Sequence, residues 1–366
     1  MRVRDLKAES FRNLRIGWQS LSPGINILYG DNAQGKTNFL EAIYFCALGR
    51  STRADNLKEL IGFGQKEAHV QAELVKDNIS SLIDAHIQMQ GKKCVKSLSI
   101  DKVPVKNTRE LFGRLLVVLF SPEDLRLIKS GPAERRRFMD IEICQLSPVY
   151  YSDLKEYHRA LKQRNHLLKI LRKDKNQRSF SVTLSVWDDQ LANYGKRIIR
   201  TRTTFVKRIS ELAGVIHAGI THGAEALAME YRPNIENPDD YIDIMKKSHD
   251  RDLALGCTSA GVHKDDIHFT INNISARSFG SQGQQRTAAL SAKLAEIEIM
   301  RQSTSTTPVL LLDDVLSELD GHRQTFLLQR ITAMQTVLTC TGLEDVLKKN
   351  PGDYRIMKVE NGQIKS

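Results

Sequence analysis

Eight consecutive positions, Gly30-Asp31-Asn32-Ala33-Gln34-Gly35-Lys36-Thr37, constrain this chain more than any other feature. They fit the phosphate-binding loop pattern. The apolar run Ile25-Asn26-Ile27-Leu28-Tyr29 precedes them, and a helical stretch with Phe39, Leu40, Ile43 and Tyr44 follows. The glycines let backbone N–H groups turn inward around phosphates, Lys36 reaches the β- and γ-phosphates, and the Thr37 hydroxyl ligates Mg²⁺. All eight positions are therefore candidate nucleotide-binding residues, with a nucleotide and Mg²⁺ the expected ligands and an α/β fold the expected class.

A second apolar run, Val309-Leu310-Leu311-Leu312, ends in Asp313-Asp314. Such a strand places its first carboxylate opposite Thr37 as the Mg²⁺ ligand, so Asp313 takes that role. Asp314 stands where a general base could polarise a water; the alternative is a helix-capping or solvated aspartate. Upstream by 32 residues, Ser281-Gln282-Gly283-Gln284-Gln285 opens a helix bearing Leu290, Leu294 and Ile297. A serine with free N–H groups at a helix start is an anion site, and the alternative is an ordinary N-cap.

The apolar period divides the chain. Residues 1–121 read as strand, loop and helix followed by short alternating strands, and 256–366 return to strand and helix. Between them, 122–255 read as helical: Leu154, Tyr157, Leu161 and Leu168 recur at helical spacing, as do Leu191, Ile198, Phe205, Ile209 and Ile216. The stretch 173–178 reads as a polar tip between two helices. With 366 residues, two lobes are expected rather than one core.

Charge singles out the middle lobe. The chain carries 54 Lys and Arg against 43 acidic residues; between Tyr151 and Ser210 the count is 15 against 5. Acidic partners are scarce there, which favours contact with nucleic acid, through Lys162, Arg164, Arg197 and Arg200 chosen by charge density; the alternative is a solvated helical face. The five cysteines are too far apart for a zinc or redox motif. No run of 18 apolar residues exists and the N-terminus is charged from Arg2, so no membrane partner and a cytoplasmic location are expected.

Taken in order, these elements resemble an ABC-type P-loop ATPase head. Ser281–Gln285 resembles that superfamily's signature, and Ser317-Glu318-Leu319-Asp320 its D-loop. Phe11-Arg12-Asn13-Leu14 is similar to the entry strand of the SMC branch, which implies that Arg12 and Asn13 touch the nucleotide. Two further stretches resemble the signatures of the RecF family: Pro122-Glu123-Asp124 through 131–140, with Arg135-Arg136-Arg137 and Asp140, and 258–266, ending His263-Lys264-Asp265-Asp266. The resemblance covers the whole chain. It implies an ATPase head with an inserted helical lobe and an ATP-dependent homodimer in which Ser281, Gly283 and Gln284 close on the partner's γ-phosphate. It also implies binding of duplex or gapped DNA and loading of a recombinase with RecR and, indirectly, RecO.

Three departures point to slow hydrolysis. Thr341 stands where such ATPases place a histidine, 119–122 lacks the usual glutamine, and Asp314 replaces a glutamate one methylene longer. On this reading Asp314, Lys36 and Ser281 carry the catalysis. The competing function, the energising subunit of an ABC transporter, is favoured by the signature and opposed by the helical insert and the basic lobe.

Overall fold

The computed structural model describes residues 1–173, 180–342 and 354–365, so most of the 173–178 tip lies outside the described residues. The chain forms two compact units, Met1–Asp124 with Glu296–Ser366, and Leu125–Ala295.

The first unit begins with β1 (Arg2–Phe11), β2 (Leu14–Ser20), β3 (Ile25–Tyr29) and helix α1 (Lys36–Leu48). Then come β4 (Glu67–Lys76), β5 (Ile79–Gln90), β6 (Lys93–Ile100), β7 (Val103–Pro104) and β8 (Val117–Phe120). Strands β2-β1-β4-β5-β6-β7 make an antiparallel sheet in that order. Alternation sets its inner face: Ala68, Val70, Ala72 and Leu74 of β4 are buried while their neighbours are not.

The second unit follows with α2 (Arg126–Lys129), α3 (Pro132–Leu146), α4 (Pro148–Lys173), α5 (Phe180–Ile220), β9 (Leu227–Arg232), α6 (Tyr241–Lys247) and α7 (His249–Leu255). It continues through β10 (Asp266–Ile271), β11 (Ile274–Ser275), α8 (Ala276–Phe279) and the start of α9 (Gln282–Thr304). Helices dominate, but β11-β10-β9 form a three-stranded antiparallel sheet within this unit. The strands expected after residue 255 to rejoin the first lobe include β10, which pairs along its length with β9 from Asp266↔Arg232 to Ile271↔Leu227. That pairing carries the unit on to Ala295.

The chain closes in the first unit with β12 (Val309–Leu312), α10 (Gly321–Ile331), β13 (Thr336–Cys340), β14 (Tyr354–Glu360) and β15 (Gln363–Lys365). These complete a second six-stranded sheet, β15-β14-β3-β13-β12-β8, parallel except at β15. Its central strands are buried on both faces, which is why β12 reads Val-Leu-Leu-Leu without alternation. Helix α1 packs on both sheets and is buried almost all round, with Phe11 and Phe45 rings 5.8 Å apart.

Candidate active site

Strands β3, β12 and β13 lie side by side and parallel, so their C-terminal ends open into one crevice, the usual place for a ligand in such a sheet. The loop 30–37 leaves β3 there. Gly30 has φ 148°, Ala33 65° and Gly35 116°. At Gly35 a Cβ would lie 2.8 Å from Asn13 Oδ1, so both the backbone angle and the space require glycine.

Other parts of the first unit hold the loop in shape. The β14–β15 turn pins Gln34: Gly362 N–H donates to its carbonyl at 2.8 Å, and Asn361 N–H to its side-chain oxygen at 2.6 Å. Asn13 backs the loop from the other side, donating to the Ala33 carbonyl at 3.4 Å and accepting from Asn38 Nδ2 at 2.8 Å. Buried Lys36 folds back, its Nζ donating to the carbonyls of Gly30 at 2.5 Å and Asp31 at 2.9 Å.

Across the crevice, Thr37 Oγ1 donates to Asp313 Oδ1 at 2.8 Å, and Thr339 Oγ1 donates to the same oxygen at 3.0 Å. Thr339 also accepts from Asp314 N–H at 2.9 Å. Burial raises the Asp313 carboxyl above the ordinary carboxylate range, opposed by the two hydroxyls and the Arg53 charge. Asp314 has φ 51°, a left-handed turn that brings it onto the same cleft of about 310 Å³ as Thr37, Arg53 and Asp313. Thr341 lies exposed just past β13.

Arg12 behaves differently from the expectation of a phosphate contact. Its Nε and Nη2 grip Glu41 at 3.0 and 3.1 Å, and Nη1 donates to the Glu59 carbonyl at 3.0 Å. Glu41 is buried and also takes Arg53 at 2.7 Å and the Ser51 hydroxyl. Burial pushes its carboxyl up, but these hydrogen bonds and the Arg53 charge more than offset that and hold it below the usual range. Sequence reasoning missed both Glu41 and Arg53. The signal was a lone carboxylate in the otherwise apolar run Phe39–Leu48, which requires a cationic partner.

The signature residues lie in the second unit. Ser281 Oγ accepts Gln284 N–H at 3.2 Å while Gln284 Oε1 accepts Ser281 N–H at 2.9 Å, a reciprocal cap on α9. Gln284 Nε2 then donates to Glu225 at 2.9 Å. Exposed Ser281 keeps its hydroxyl proton to offer, whereas both ends of the Gln284 amide are engaged within the chain. Gly283 sits in the first turn of α9.

The two other family stretches meet each other. Arg135 of α3 grips Asp266 through two bonds of 2.6 and 2.9 Å, and Arg136 donates to the Asp265 carbonyl at 2.7 Å. Arg202 of α5, fully buried, bridges Asp140 and Asp265 at 2.8 Å each. They join α3, α5 and β10 through ion pairs built on the buried guanidinium groups of Arg135 and Arg202.

Of the four residues chosen for DNA, Lys162 is exposed on α4. Arg164 must be withdrawn: it is fully buried, bonded to Asp188 and Asp252 at 2.6 Å each, and cannot reach a phosphate outside. Arg197 faces Asp153 at 2.7 Å and Arg200 faces Asp239 at 3.0 Å. The apparent scarcity of acids is thus corrected, because Asp239 and Asp252 come from outside 151–210.

No helix among the described residues is long and apolar enough to cross a membrane. Residues 2–365 match the family profile described as the RecF/RecN/SMC N terminal domain. The chain is 45% identical over 364 residues to the DNA replication and repair protein RecF of Lachnoclostridium phytofermentans, covering 100% of this chain and 99% of that protein. It superposes on the solved structure of the recombination mediator protein RecF with ATP, in the RecFOR pathway. There the TM-score is 0.91 and the identity 32%, with 99% of this chain and 96% of the other covered. The Smc head domain of Pyrococcus furiosus, solved with an extended coiled coil and bound to the C-terminal domain of ScpA, shares the fold at 17% identity and TM-score 0.56, covering 99% and 95%. With a loop, strand ends and reciprocal cap of this form, and matches along its whole length, the chain belongs to the RecF family, within the SMC-like ATPases.

Proposed function

We propose that the chain binds ATP with Mg²⁺ at 30–37, joins a second copy when ATP is bound, and in that state holds duplex or gapped DNA for recombinational repair. The Thr37–Asp313 pair carries the reading. Two hard oxygens converge at the end of a phosphate loop, and among the described residues no cluster of three or more His, Cys, Asp or Glu offers a self-sufficient metal cage. That suits Mg²⁺, which takes few protein ligands and leaves the remaining positions to phosphate and water. The ion would neutralise charge on the β- and γ-phosphate oxygens.

The chain's own groups supply the rest. Lys36 exchanges two carbonyls for phosphate oxygens, which are better partners for an ammonium. Asp314 orients a water and accepts its proton; its short side chain makes hydrolysis slow, so ATP acts as a clamp. Arg12 and Asn13 serve as struts, one holding Glu41 and the other the loop. Ser281, fixed by its cap, donates its hydroxyl to the γ-phosphate held by the second copy. RecR and RecO are the expected co-workers in recombinase loading, since a relative's structure is described within the RecFOR pathway. A transporter role is set aside, because the relatives are DNA replication and repair proteins.

Sedimentation of the full chain with and without ATP and Mg²⁺, then with a gapped duplex, tests this reading. A monomer that becomes a dimer with ATP and binds the duplex is expected. A chain that binds ATP yet stays monomeric overturns it.

A further inference from the structure

Helix α4 has two faces of opposite character. One is buried and carries Tyr157, Ala160, Arg164, Leu167 and Leu168. On the other, Lys155, Arg159, Lys162, His166, Lys169 and Lys173 recur at steps of four and three residues, and all six are exposed. At about 100° per residue they fall within roughly 80° of arc, opposite the buried face.

Exposed cations on a helix are usually matched by nearby carboxylates, and α5 of the same unit finds them on other elements: Arg197 meets Asp153 of α4, and Lys196 and Arg200 meet Asp239 of the 238–240 turn. α4 does not. Of its two carboxylates, Asp153 is committed to Arg197 on the far side, and Glu156 lies 3.5 Å from Arg159 at the stripe's margin. Lys155, Lys162, Lys169 and Lys173 have no ion pair among the described residues. Like charges three and four apart repel and weaken a helix. The arrangement therefore has unspent attraction for an external polyanion.

We infer that this face of α4 seats the sugar-phosphate backbone of duplex DNA, an assignment that rests on the DNA-binding reading above. The stripe is about 27 Å long at 1.5 Å per residue, and rigid. Over that length a duplex presents a charge about every 1.7 Å of axis. No exposed Trp, Phe or Tyr lies between Lys155 and Lys173 to stack an unpaired base, so the face offers its partner charge and not stacking. The basis of the DNA contact thereby moves from the charge total of 151–210 to one ordered row, and Arg197 and Arg200 drop out of it.

The test uses the full chain with ATP and Mg²⁺ and a blunt duplex of arbitrary sequence, titrated at several salt concentrations. The triple variant Lys155→Glu, Lys162→Glu, Lys169→Glu should bind about tenfold or more weakly, with a log–log salt slope shallower by about 2 to 3. A control with Lys246→Glu and Lys247→Glu, exposed on α6 of the same unit, should bind nearly as the unaltered chain. Unchanged affinity and slope in the triple variant overturn the inference and leave the row to an acidic protein surface or to solvent. An equal loss in the control also overturns it, because net charge alone would then explain the effect. If the unaltered chain fails to bind duplex with ATP, the DNA reading itself falls.

Discussion

Thr37 Oγ1 and Asp313 Oδ1, 276 positions apart in sequence, share a hydrogen bond of 2.8 Å at the mouth of the phosphate loop. Burial raises the Asp313 carboxyl, so ionising it opposes folding of the nucleotide-free chain. That favourable proton is fully present below the ordinary carboxylate range and is lost as pH rises through the raised value. Asp313→Asn should therefore leave the nucleotide-free melting temperature unchanged or up to about 2 °C higher at neutral pH. The same variant should lose the extra stabilisation that Mg²⁺ gives over EDTA when ATP is present. Scanning fluorimetry reads both, and an undiminished Mg²⁺ increment would remove Asp313 from the metal site.

Lys36 and Asp314 should separate binding from turnover. Among the described residues Lys36 is tied only to two carbonyls of its own loop, so Lys36→Met should fold but lose ATP affinity by about a hundredfold or more, and with it the dimer. Asp314 donates its backbone N–H to Thr339 Oγ1 and lines the cleft. Asp314→Asn should bind ATP normally, hold the dimer longer and hydrolyse about a hundredfold more slowly, the scale of a lost general base. Hydrolysis at the unaltered rate would show that Asp314 is not the base.

Ser281 has two tasks that can be told apart. As the cap of α9 it contributes about 1 kcal/mol, which Ser281→Asn should largely keep and Ser281→Ala should lose. As a donor to the second copy's nucleotide it acts only in the dimer. Ser281→Arg should leave ATP affinity of the monomer within about twofold, a change too small to matter on the 1.4 kcal/mol-per-decade scale, and should abolish ATP-dependent dimerisation. Loss of ATP binding by the monomer would instead make Ser281 a ligand within its own chain.

Much of the first unit was legible because its constraints are local. The loop 30–37 needs glycines at positive φ, and Val309–Leu312 needs an uninterrupted apolar run to lie between β8 and β13. Those demands leave residue-level marks. The ion pairs of the second unit leave none, because Arg164 finds Asp188 and Asp252 by tertiary packing at separations of 24 and 88 residues. An arginine bound for the interior and one bound for solvent are the same letter, and only the position of Arg164 at the centre of the apolar face of α4, between Tyr157 and Leu168, could have hinted at burial. The helical period itself was readable, and it is what sorts the exposed Lys155–Lys173 row from the buried one. Arg12 is a similar case: its resemblance to a phosphate contact says nothing of Glu41, which holds its guanidinium in the nucleotide-free chain.

His263, in the second family stretch, should make the stability of the chain sensitive to pH. Its Nδ1 accepts from the Tyr157 hydroxyl at 2.9 Å and its Nε2 donates to the Thr258 carbonyl at 3.1 Å, so the neutral ring satisfies both nitrogens. Protonation would turn Nδ1 into a second donor, facing a hydroxyl that must then reverse. Burial drives the His263 pKa down to about 4; the Thr258 bond works against this, and the charges of Lys264, His158 and Arg136 add to it. The unfolded ring takes its proton near the ordinary value of about 6.5 while the folded ring does not, so the stabilisation is present above that pH and is lost as pH falls toward the folded value. Between pH 7 and pH 5 the linkage is worth about 2 kcal/mol. His263→Gln, whose amide can still donate to Thr258 and accept from Tyr157, should be less stable than the unaltered chain at pH 7 but lose about 2 kcal/mol less on going to pH 5. Urea unfolding of both proteins at the two pH values measures the difference, and equal losses would mean that His263 titrates alike in the folded and unfolded chain.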